Sequence, residues 1–176
     1  MAQLQLAPMR VLIVEDSITD AHILQEYLRL GEHPPHAEVA VRLSDALALA
    51  RQTPFDAVLL DMSLPDAQGA EAVHAIRSVL PGVPIVILSG EEDEHIATLA
   101  VQAGAQDYLI KRQVDDAGLR RALRHAIERQ QLLEQLARSQ ARLHEENAML
   151  RRLTDAAGRV FAALDVRAMV DVLASE

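Results

Sequence analysis

The chain has 176 residues, half of them apolar, and a formal net charge of -9, enough for one full domain with a real core plus an appendage. It has no Cys, which excludes disulfides, thiolate nucleophiles and cysteine zinc sites; it also has no apolar run near the roughly 20 residues of a membrane span and no signal-like start over Met1–Met9, so a soluble cytoplasmic protein without a membrane partner is expected. Residues 1–118 carry 18 acids against 7 bases and residues 119–176 carry 8 against 10; with two Phe, two Tyr and no Trp, the acidic first part and the lack of stacking rings argue against a nucleic-acid partner.

Apolar strand-like runs alternate with amphipathic helical stretches, the pattern of βα units around a parallel sheet. Strand 1 is expected over about Arg10–Val14. Ser17 N-caps a first helix with Ile18, Ala21, Leu24 and Leu28 on one face and Gly31 as its stop. After the loop His33-Pro34-Pro35-His36 come strand 2 at Glu38–Val41, helix 2 at Ser44–Arg51 and strand 3 at Ala57–Leu60. The turn-rich Leu64–Gly69 leads to helix 3, with Ala72, Val73, Ile76 and Val79 or Leu80 inward. Strand 4, Ile85–Leu88, is apolar throughout, as a strand buried on both faces should be. Helix 4 is expected over about Glu92–Ala103, stopping at Gly104, and strand 5 over Asp107–Ile110. The fold class is therefore α/β: a doubly wound (βα)5 domain with a five-stranded parallel sheet, flavodoxin-like, over about residues 8–130.

Asp115 and Asp116 favour the positive end of a fifth helix. From Leu119 to Ala157 there is neither Gly nor Pro, and a wholly helical run of that length extends roughly 60 Å. Leu136, Leu143 and Leu150 repeat every seven residues, with Leu133, Gln140, Asn147 and Thr154 at the alternate heptad sites; residues 131–157 read as a short parallel coiled coil continuous with the last helix of the domain, and Asn147 suits two strands in one register. A homodimer through helix 5 and this segment is expected, the alternative being a helix folded back on its own domain. Residues 158–176 read as a short helical tail, N-capped by Asp165, that either packs on a partner or begins a further domain.

Four charged residues follow these strands. Glu15 and Asp16 follow strand 1, Asp61 follows strand 3, and Lys111, the only lysine, follows strand 5. In an open parallel sheet the carboxyl ends of the strands share the edge where ligand sites form. Clustered carboxylates repel unless a cation sits among them, and Mg2+ (or Mn2+) takes carboxylates together with phosphate oxygens. One carboxylate is then able to attack phosphorus and form an acyl phosphate. Asp61 is the best placed, being alone on its strand, while Glu15 and Asp16 share the metal. Lys111 completes the charge balance, and Ser89 at the end of strand 4 offers a hydroxyl donor. Taken singly, an acid after a strand is usually a helix cap or a solvated loop group; it is the combination that points to a site.

Val14-Glu15-Asp16-Ser17, Leu60-Asp61-Met62-Ser63-Leu64-Pro65-Asp66 with Gly69, Leu88-Ser89-Gly90 and Asp107-Tyr108-Leu109-Ile110-Lys111 together resemble the receiver domain of two-component response regulators. The resemblance implies phosphorylation of Asp61 by a histidine kinase or histidine phosphotransfer protein. It also implies metal binding by Glu15, Asp16, Asp61 and the backbone carbonyl of Ser63, a switch pair of Ser89 and Tyr108, and tuning of phosphate lifetime by Ser63 and Glu91. Such a protein is a phosphoacceptor that catalyses only its own phosphorylation and dephosphorylation. Receivers usually carry Pro after the lysine; Arg112 stands there instead, so a trans bond and a differently shaped loop are expected. The tail from Leu153 to Leu173 resembles the approach to a GAF-type domain through its apolar pattern only.

Three other readings compete. An aspartyl-nucleophile phosphatase wants a second Asp two residues on, where this chain has Ser63. A flavin-binding domain wants a hydroxyl-rich phosphate loop, whereas strand 1 ends in two acids. A receiver-like scaffold that is never phosphorylated has no need of the complete set. His144-Glu145 lacks the Arg and Pro that follow a kinase phosphoacceptor histidine and reads as a surface group, and His33 and His36 are too few for a metal.

Overall fold

The computed structural model describes residues 9–90, 98–99 and 101–173, with side chains described as far as Ala156. The apolar runs become β1 (Arg10–Val14), β2 (His36–Ala40), β3 (Ala57–Asp61), β4 (Ile85–Ser89) and β5 (Asp107–Ile110), joined in one parallel sheet of order β2-β1-β3-β4-β5. β3 and β4 are buried along their whole length. Because successive side chains point to opposite faces, each strand divides between two cores. Leu12, Val14, Val58, Leu60, Ile85 and Ile87 pack on one face with Ala46, Val73 and Ile76; Val11, Ile13, Leu59, Val86 and Leu88 pack on the other with Leu24, Leu28, Leu119 and Leu123.

Helices α1 (Ile18–Arg29), α2 (Leu43–Gln52), α3 (Ala70–Val79) and the start of α5 (Asp116–Leu173) cover these faces, and residues 98–99 and 101–102, all exposed, belong to a helix between β4 and β5, α4. The expected start of the fourth helix at Glu92 lies outside the described residues. Ser17 caps α1 as its sequence predicts, its hydroxyl accepting the Asp20 N–H at 3.3 Å. Ile18 departs from the predicted inner face and is 81% exposed. It occupies the first turn, beside the carboxyl edge of the sheet, where the sheet no longer covers the helix. β2 begins two residues earlier than expected, because His36 and Ala37 pair in register with Arg10 and Val11. Pairing along β1 outweighs the weak strand preference of His36.

Between β3 and α3 the loop forms a small antiparallel ribbon, Ser63–Leu64 against Ala67–Gln68. It ends at Gly69, whose φ of 58° is left-handed and favours glycine. Arg42, at the N-cap of α2, makes no side-chain cap. Asp66 of the ribbon turn supplies one, accepting the N–H groups of Leu43 and Ser44 at 2.8 and 3.0 Å; these bonds hold its carboxyl below the usual range.

Two compact units divide the chain, Met1–Leu132 and Leu133–Glu176. α5 passes Gly158 and Asp165 without a break, so the tail read as a separate element with its own cap belongs to this helix as far as Leu173. In the second unit Leu133, Leu136, Leu143 and Leu150 are all more than half exposed. Its polar heptad-site side chains turn onto their own helix: Asn147 Nδ2 donates to Leu143 O and Thr154 Oγ1 to Leu150 O. Among the described residues no helix is long and apolar enough to cross a membrane.

Candidate functional site

The sheet delivers the predicted residues to one edge. Glu15 follows β1, and its N–H donates to Ala40 O at 2.9 Å, so its backbone is still tied to the sheet and its side chain is fully buried. Asp61 is the last residue of β3 rather than the first of the loop, 4% exposed. Lys111 N–H donates to Ser89 O at 2.8 Å, which aligns the end of β5 with that of β4.

Lys111 Nζ lies 2.6 Å from Glu15 Oε2 and 3.1 Å from Asp61 Oδ2. The other oxygens of these carboxylates are held by backbone: Ser17 N–H donates to Glu15 Oε1 and Ser63 N–H to Asp61 Oδ1, each at 3.3 Å. Burial is the main cause that pushes the Glu15 carboxyl up to about 7, assisted by the charge of Asp61 and opposed by Lys111. Burial alone lowers the Lys111 ammonium; its bonds and charge interactions with Glu15, Asp61 and Asp20 outweigh this and hold it above its ordinary value.

Glu15, Asp16 and Asp61 each offer one oxygen within 4.8 Å of the others, Asp16 from an exposed position. Three hard oxygen donors beside a single ammonium leave an excess of negative charge, the donor set that suits Mg2+. The residues present fit the ion.

Ser89 is 6% exposed and lines a cavity of about 600 Å³ with Ser63, Gly69, Gly90 and Arg112. Tyr108 is half-buried, packs against the core on the α2 and α3 face, and lines a different cavity of about 470 Å³ with Arg121 and His125. The two members of the expected switch pair thus lie on neighbouring strands and line different cavities. Glu91 lies outside the described residues. The Lys111–Arg112 bond is trans, as are all the described peptide bonds. His144 is exposed, its ring against Gln140 O of its own helix.

One contact escapes the sequence reading. Asp20 Oδ2 is 3.1 Å from Lys111 Nζ, so a third carboxylate shares the ammonium. The sequence signal available was an acid three residues after the capping Ser17, which points to a helix cap; nothing in it points to a lysine 91 residues away.

Over 101 residues the chain is 39% identical to a response regulator receiver protein of Anaeromyxobacter sp. and 35% identical to the transcriptional regulatory protein ZraR of Salmonella typhimurium, 57% of this chain in each case. It covers 40% and 22% of their lengths, so it spans well under half of these curated relatives. Among solved structures, it resembles chemotaxis protein CheY4 of Vibrio cholerae with a TM-score of 0.62 at 28% identity, over 68% of this chain and 99% of that one. A CheY-like receiver domain protein of Methanospirillum hungatei gives a TM-score of 0.64 at 23% identity, over 71% and 98%. Residues 11–128 match the family described as the response regulator receiver domain, and by that match the chain belongs to the receiver family of two-component systems.

Proposed function

We propose that the chain accepts a phosphoryl group on Asp61 from a phosphohistidine of a histidine kinase or phosphotransfer protein. The observation that carries this reading is the Lys111 ammonium held between Glu15 and Asp61, with Asp16 beside them. An Asp61 carboxylate oxygen attacks phosphorus in line, and the P–N bond breaks with its electron pair returning to the imidazole. Lys111 meets the charge on the transferred group and Ser89 donates to one of its equatorial oxygens. Glu15, Asp16, Asp61 and the Ser63 carbonyl would hold Mg2+ (or Mn2+), which would neutralise charge on the phosphoryl oxygens. The chain catalyses only its own phosphorylation and hydrolysis and acts in the cytoplasm.

The reading extends to the output. Ser89 and Tyr108 respond to the phosphoryl group, and α5 carries the change into a parallel homodimer seamed by Leu133, Leu136, Leu143 and Leu150. The exposure of all four in the single chain supports this, since a heptad seam buries itself only against a partner.

Incubation with acetyl phosphate and Mg2+ should add one phosphoryl group by intact mass, and Asp61→Asn should abolish the gain. A parent chain whose mass does not change sinks the proposal.

A further inference from the structure

The ammonium of Lys111 has three N–H groups and three carboxylate partners: Glu15 at 2.6 Å, Asp61 at 3.1 Å and Asp20 at 3.1 Å. It donates hydrogen bonds to Asp61 and Asp20 and is ion-paired with Glu15. Asp20 sits three residues after the capping Ser17, where an acid ordinarily reaches back to the N–H of the cap residue. Here that N–H already donates to Glu15 Oε1, so the Asp20 carboxylate has lost its local partner and turns to Lys111. The Ser17 hydroxyl, bound to the Asp20 N–H, fixes the backbone from which it does so.

The three partners differ in access to water. The side chains of Glu15 and Asp61 are 0% and 6% exposed, that of Asp20 is 40%. When Asp61 acquires a phosphoryl group, the ammonium is drawn to a phosphoryl oxygen, and its contacts with the carboxylates have to rearrange. Glu15 is wholly buried and has no water to turn to, so it stays between the ammonium and the metal, whereas Asp20 is free to exchange the ammonium for water.

Resting on the acceptor reading above, we propose that Asp20 is a positioning residue that holds Lys111 in the free chain and is the partner it gives up to the phosphoryl group. Asp20 is therefore a competitor of the phosphorylated state. Removing its charge leaves Glu15 and Asp61 in place and makes that state easier to reach. An exposed ion pair shifts an equilibrium by up to about fivefold, which sets the scale of the effect.

Because Lys111 is the only lysine, lysine labelled with 15N at Nζ gives one ammonium signal from the full chain. The probe is beryllium fluoride, a tetrahedral anion that binds a carboxylate as a phosphoryl group does, titrated with Mg2+ present. Asp20→Asn should shift the ammonium signal of the free chain and speed its proton exchange. It should also lower the beryllium fluoride midpoint about threefold, while Asp20→Glu, which keeps the charge, stays close to the parent in both readouts. An unmoved signal in Asp20→Asn overturns the proposal, as does a midpoint that is unchanged or raised. If beryllium fluoride fails to bind the parent, the acceptor reading fails, and the signal of the free chain still decides whether Asp20 holds the ammonium.

Discussion

α5 passes through two regions that treat the same residue type in opposite ways. Leu119 and Leu123 are fully buried against the sheet with Leu24, Leu28, Leu59 and Leu88. Leu136, Leu143 and Leu150, on the same helix, are all more than half exposed. Charges follow the same division. In the first unit Lys111 is wedged among three acids, one after β1, one in α1 and one at the end of β3; in the second, Glu134–Arg138 and Arg142–Glu146 are exposed pairs one turn apart on the same helix. The first unit is specified by contacts between segments distant in sequence. The second is specified by period alone, and a period acts only when something packs on it.

The largest effect is expected where a buried charge loses its partner. Lys111→Met should cost roughly 3–5 kcal/mol at pH 8 in metal-free urea denaturation, because Glu15 is left buried and unpaired, and the loss should shrink toward pH 5.5, where Glu15 takes a proton. Equal losses at both pH values would break the link to Glu15.

The paired substitution along α5 is the sharpest test of the contrast. Leu123→Ala should cost about 2–4 kcal/mol by opening a cavity. Leu143→Ala should leave the melt of the first unit unmoved while weakening self-association in sedimentation. If Leu143→Ala leaves the mass distribution as it was, the heptad seam has no role.

A smaller effect follows from the Glu15 carboxyl, raised to about 7 against an ordinary value of 4.5. Between those values the folded chain holds a proton that the unfolded chain has lost. Its contribution to stability is therefore fully present below about 4.5 and is lost as pH rises through about 7. Mg2+, which needs the carboxylate, works the other way: the rise in Tm on adding Mg2+ should grow from pH 6 to pH 8. A rise independent of pH would count against Glu15 as a ligand.

The smallest effect is expected on the exposed helix, where Glu134→Gln should change stability by no more than about 0.5 kcal/mol. A larger loss would mean that this surface is not merely solvated.

The contrast also explains what could be read before the structure. Strands β3, β4 and β5 were legible within a residue, because short apolar runs bounded by polar residues have few alternatives in a parallel sheet. Glu15, Asp61, Lys111 and Ser89 were legible because their place at strand ends made the shared edge a matter of topology. Asp20 was not, since its local signal matched a helix cap and its real partner arrives through the third dimension. Ile18 was misjudged for a related reason: its helical phase is right, but phase does not say where the sheet ends. His36 was read as loop because two prolines precede it, while pairing with Arg10 decided otherwise.

The cap that Asp66 lends to α2 ties together two stretches of sequence over twenty residues apart. Arg42 serves that helix end only through its carbonyl, which accepts the Ala46 N–H, and its side chain makes no cap, so the side chain at 42 has no capping role for as long as Asp66 stays, and an Asp or Ser introduced at 42 would make Asp66 redundant in turn. A loop transplanted between residues 62 and 69 from another protein without its own acid at 66 would arrive as a helix defect as well as a change of loop. Grafts of the acceptor loop should therefore succeed in pairs with residue 42 and fail singly.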